Sequence, residues 1–114
     1  VFRTVLQHLT NDSTGHSRTE KIFEVAAKLN LANSLREQYK LDAKPELFTE
    51  ANSLYETTVK SIEAIYGEHH IRLSKALREH ALLLQAVGDV ESVEKVIRDA
   101  IAVHVMWSKV NEGR

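Results

Sequence analysis

The 114 residues are one domain's worth of chain, enough for a modest core and too few for two. Hydrophobic residues make up 43% and charged ones 27%, an ordinary globular composition that argues against disorder. A net charge of −1, from 15 Lys and Arg against 16 Asp and Glu, argues against nucleic acid or an anionic membrane surface as the main partner, since both select a basic excess.

Five helical segments follow from apolar residues recurring at the 3.6-residue period. Val1–Leu9 sets Val1, Val5 and Leu9 on one face with Phe2 beside them, and Asn11-Asp12-Ser13-Thr14-Gly15 stops it. Ser17 then reads as an N-cap, with Glu20 at the capping-box position. The stripe Ile22, Val25, Ala26, Leu29, Ala32, Leu35 carries the second helix to about Tyr39. "KLDAK" and Pro45 break it, and Pro45 suits the first turn of a third helix, where its missing N–H is not needed. That helix uses Leu47, Phe48, Ala51, Leu54, Tyr55, Val59, Ile62 and Ile65, and Gly67 ends it. A fourth, from about His70 to Val87, runs through Leu73, Leu77, Ala81 and Leu84 to Gly88. Asp89 caps a fifth that carries Val93, Val96, Ile97, Ala100, Ile101, His104 and Trp107. No segment alternates with period two, so the fold class is all-α.

Connections of about two to eight residues make neighbouring helices antiparallel hairpins. Ala32 and Ala81 sit at matching points of the second and fourth helices. Each of those helices is followed by one with a similar series, Ala51, Leu54 and Tyr55 in one case and Val93, Val96 and Ile97 in the other. A repeated hairpin that buries itself only on its neighbours is the unit of a solenoid.

Tyr66–Val103 resembles the tetratricopeptide repeat (TPR), in the longer variety found in kinesin light chains. Gly67 and His70 match the linker of such a repeat, Leu77, Ala81 and Leu84 its first helix, Gly88 its turn, and Val93 and Ala100 the two small positions of its second helix. Leu29–Tyr66 matches through Asn30, Leu31, Ala32 and Leu35, then Ala51, Leu54 and Tyr55, with about seven residues too many around "YKLDAKPELF". The sequence departs from the repeat at Ile71 (commonly Pro), His80 (a core Leu), Val93 and Thr58 (both usually Ala). The resemblance implies a short TPR-like α-solenoid of about two and a half repeats over residues 1–114, with Val1–Leu9 closing a first, incomplete pair. Val1 in place of an initiator Met, and a pattern already periodic there, give the expectation of a fragment or processed piece of a longer chain.

Chemistry is sparse. There is no cysteine, hence neither disulfide nor thiolate metal site, which makes an intracellular, cytoplasmic protein the default, with an organelle after presequence removal as the other possibility. No apolar run reaches the ~20 residues that span a bilayer. Adjacent residues of a helix point about 100° apart, so His69 and His70 are poorly placed to share an ion, and one of them is expected to cap the fourth helix. His80 faces the expected core and needs a hydrogen-bond partner there. Glu91, Glu94 and Asp99 occupy solvated positions, with Glu94–Arg98 an i,i+4 pair. No phosphate loop, nucleophile elbow or zinc-protease helix occurs. Neither an enzyme nor a cofactor is expected.

What remains is surface. In a TPR array the first helix of each pair lines a concave groove that receives a peptide or a partner helix. On this chain the resemblance makes Asn30, Asn33, Arg36 and Glu37 the groove candidates of one pair, and Lys75, Arg78, Glu79, Leu82 and Gln85 those of the other. Asn can hold a peptide backbone through its amide and Arg a carboxylate. Met106 and Trp107 lie past the reach expected of their own hairpin and are candidates for an end interface, either with a further repeat of the same chain or with a larger assembly. The functional expectation is a non-catalytic scaffold that binds another protein within a larger assembly. The alternative is an accessory helical subunit held by its apolar ends with the groove unused.

Overall fold

Ser17 begins the fold as a cap: its Oγ accepts the Glu20 N–H at 3.2 Å. The computed structural model describes residues 17–112, so the helix expected over Val1–Leu9 lies outside the described residues. Four helices follow, α1 (Arg18–Asp42), α2 (Pro45–Tyr66), α3 (Ile71–Val87) and α4 (Val90–Glu112).

Local chemistry sets each boundary. Nothing in Lys40-Leu41-Asp42 breaks a helix, so α1 outruns the expected end at Tyr39 and stops where Ala43 turns left-handed (φ 53°). The Ala43 N–H then closes on the Tyr39 carbonyl at 2.7 Å. Pro45 holds Lys44 extended and opens α2 at its first position. The surplus residues expected around "YKLDAKPELF" are thus absorbed by longer helices joined through Ala43 and Lys44. Gly67 ends α2 at φ 101°. His70 caps α3 through Nδ1, which accepts the Arg72 N–H at 3.0 Å. Gly88, left-handed at φ 83°, ends α3, a conformation that suits a residue without a Cβ. Asp89 then caps α4, accepting the Ser92 N–H at 3.2 Å and the Ser92 hydroxyl at 2.6 Å.

The packing is that of two antiparallel hairpins, α1 on α2 and α3 on α4, with α3 seated against α2 and also touching α1. Two apolar clusters hold the seat. Leu83 of α3 joins Ala32, Leu35, Ala51 and Tyr55, and Leu73 and Ala76 join Val25 and Ile62. The small residues Ala32, Ala51 and Ala76 are fully enclosed, which lets the helix backbones approach closely. Across the second hairpin, buried Ser74 donates its hydroxyl to the Ala100 carbonyl at 2.9 Å. None of the described helices is long and apolar enough to cross a membrane.

Candidate protein-binding surface

A polar cluster lies where α3 meets the first hairpin. Tyr55, fully buried, donates its hydroxyl proton to Asn33 Oδ1. Arg36 Nη1 donates to the Tyr55 hydroxyl at 2.9 Å, to Asn33 Oδ1 at 3.1 Å and to the Glu79 carbonyl at 3.4 Å. The Tyr55 ring stacks on His80 with centroids 5.4 Å apart, and His80 Nε2 donates to Asn52 Oδ1 at 2.7 Å. That bond puts the neutral imidazole proton on Nε2. Burial pushes the Tyr55 hydroxyl up to about 12 and holds His80 below its ordinary range, the latter opposed by the Glu56 charge. Burial disfavours phenolate and imidazolium alike.

Asn33 and Arg36, two of the expected groove residues, are engaged in the joint between hairpins, and Arg36 also lines the cleft between α1 and α3. They face inward because a buried Tyr hydroxyl on α2 requires partners. The Arg36 side chain is only 13% exposed, and its Nε lies 3.2 Å from Glu37 Oε2. That bond, with help from Lys40, lowers the pKa of the exposed Glu37. Glu79 is half-buried, and its Oε2 has no hydrogen-bond partner among the described residues.

The other candidates face solvent. Asn30, Glu37, Lys75, Arg78, Leu82 and Gln85 are exposed. Between α1 and α3, Arg36, Glu37, Tyr39, Lys40, Leu82 and Gln85 line a cleft of about 420 Å³. On the other side of α3 the structure brings together all five candidates of the second pair. Lys75, Arg78, Glu79, Leu82 and Gln85 share a cleft of about 480 Å³ with Val93 and Ile97 of α4. A smaller one of about 220 Å³ continues along Arg78, Ile97, Ile101, His104 and Val105. Asn30 lines none of the three.

The far end of α4 differs from expectation at Trp107. Its ring lies 4.5 Å from that of His70, which lies 4.7 Å from the Tyr66 ring, so the second hairpin covers part of the tryptophan and leaves it half-buried. Arg18 and Arg72 sit 5.8 Å and 5.2 Å from the Tyr66 centroid. Burial, with these two cations, lowers the His70 pKa. Met106, the other end candidate, is exposed.

His70 spends Nδ1 on its cap, and His69 lies 3.6 Å from Glu68. Among the described residues no group of three His, Asp or Glu converges to hold a metal ion. Asn52 and Ser74 were missed by sequence reasoning. Each is a polar residue set on an apolar stripe, Asn52 between Phe48 and Tyr55 and Ser74 between Ile71 and Leu77, and that placement is the signal for a buried hydrogen bond.

The described residues thus form an all-α domain of four helices packed as antiparallel hairpins. Against protein-family models, curated proteins and solved structures alike, the chain finds no match.

Proposed function

We propose that this chain is a non-catalytic protein-interaction scaffold, built as a short TPR-like solenoid, that receives a peptide or helix of another protein on the exposed side of α3. The observation that carries this reading is the position of α3 between two open clefts. Leu82 and Gln85 line both, and Lys75 and Arg78 extend one of them. An exposed leucine flanked by amide and cationic side chains offers apolar contact together with hydrogen bonds, the mixture that interface cores and rims use. Support for the solenoid comes from the way α3 packs on both helices of the preceding hairpin.

Affinity capture from cell extract, comparing the unaltered chain with Leu82→Asp and Arg78→Glu, tests the reading. Both positions are exposed, so the fold is retained. A protein held by the unaltered chain and released by both variants is expected. Retention by both would contradict it. Exposed Met106 and Val110 favour the second reading, an accessory subunit held by an apolar surface of α4. In that case Met106→Asp releases the protein and the α3 variants do not.

A further inference from the structure

The face of α3 and α4 turned away from the first hairpin has a filled counterpart inside the same molecule. Ala32 and Ala81 match in α1 and α3, as do Tyr55 and Ile97 in α2 and α4. Counting onward, Val59 corresponds to Ile101 and Ile62 to His104. In the first hairpin Tyr55 and Ile62 are buried, Val59 packs beside Ile62, and α3 supplies Leu73, Ala76 and Leu83 as the cover. In the second hairpin the same positions border open clefts. Ile101 is 58% exposed, Leu82 48% and Val105 44%.

The rim carries charge at positions where the first seat is apolar. Arg78, which lines both clefts on this face, stands where α1 has Leu29. Neither Arg78 nor Lys75 makes an ion pair among the described residues. Among the described residues Glu79 is the only carboxylate lining either cleft. Two copies meeting through this face would set these cations against each other, so charge argues against a symmetrical dimer.

We propose that this face seats an amphipathic helix of a partner protein, laid down as α3 is laid on the first hairpin and bearing a carboxylate opposite Arg78. The proposal rests on the scaffold reading and specifies the partner's chemistry. Register fixes where the carboxylate falls. Arg36 of α1 meets Glu79 of α3, and the α3 counterpart of Arg36 is Gln85. Leu29, the α1 counterpart of Arg78, packs against the cluster that holds Leu73 and Ala76 of α3, so the polar docked positions nearest Arg78 are those that correspond to Arg72 and Lys75.

The probe is a synthetic peptide of the α3 sequence, Ile71 to Val87, carrying Arg72→Glu and Lys75→Glu, with the unaltered α3 peptide as its control. Calorimetric titration into the full chain is expected to show the acidic peptide binding at least about tenfold tighter than the control. Ile101→Asp in the protein should weaken it at least about tenfold, and Arg78→Glu should transfer the preference to the control peptide. Should circular dichroism show Ile101→Asp to be unfolded, Ile101→Gln takes its place. Equal affinity for the two peptides, no binding of the acidic one, or indifference to Arg78→Glu overturns the proposal. So does a sedimentation profile showing a dimer that Ile101 variants abolish, which would make a second copy the occupant. Failure of the peptide while Leu82→Asp still releases a captured protein removes only this inference. Capture that no α3 substitution affects removes the scaffold reading itself.

Discussion

Tyr55 in α2 and Ile97 in α4 hold equivalent places in their hairpins, yet Tyr55 lies beneath α3 while Ile97 borders two open clefts. The helix pairs are alike; what differs is the element that arrives next. Where α3 arrives, the seat has acquired an interlocking set of polar groups, Asn33, Arg36, Tyr55, His80 and Asn52, whose hydrogen bonds require the two hairpins to sit in one position. On the outer face the corresponding region keeps Lys75 and Arg78 in water beside apolar side chains. One face is a finished joint and the other has the makings of one.

Truncation on the two sides should separate them most widely. Tyr55→Ala is expected to cost about 3–5 kcal/mol in urea unfolding, because a buried aromatic is lost and Asn33 and Arg36 lose their partner. Ile97→Ala should cost no more than about 1 kcal/mol, since part of its surface is already solvated. Equal losses would mean that the outer face is covered in the free protein.

Acid should weaken the joint next. Burial lowers the His80 pKa in the folded protein below the value near 6.5 of an unfolded chain, so the unfolded state takes up the proton first. The stability associated with neutral His80 is whole above about pH 6.5 and is lost as pH falls through the depressed value. His70 acts with the same sign. Urea midpoints at pH 7.5 and 5.5 should differ less in His80→Leu than in the unaltered protein, and an undiminished difference would assign the effect to His70 and the carboxylates.

Within the second hairpin, Ser74→Ala removes the bond to the Ala100 carbonyl and should cost about 1 kcal/mol. Ala43→Gly should instead stabilise by about 0.5–1 kcal/mol, because alanine is strained at φ 53° and glycine is not. A loss of stability there would show that the Ala43 methyl contributes packing beyond its contribution to the cleft wall.

Much of the fold was legible because it depends on local chemistry. Ser17, Pro45, Gly67, His70, Gly88 and Asp89 each mark a helix boundary through their own backbone preference or a reach of a few residues. Tyr39 was a poor stop because nothing near it breaks a helix, and Ala43 could assume a conformation that sequence would assign to glycine. The candidate site was less legible. Its helix face could be read, but Asn33 and Arg36 turn inward to satisfy a hydroxyl 22 and 19 residues away in α2, a pairing that no periodicity reveals. The partial cover of Trp107 is hidden for the same reason, since His70 belongs to the loop preceding α3.

The most direct test of the contrast is a pair of matched substitutions, Val59→Asp under α3 and Ile101→Asp at the equivalent outer position, compared by urea unfolding of the free protein. An openly solvated outer face predicts a loss of about 1–3 kcal/mol at Val59, which is half-buried against the cluster that α3 covers, and a change within about 0.5 kcal/mol at Ile101. A comparably large loss at Ile101 would contradict it.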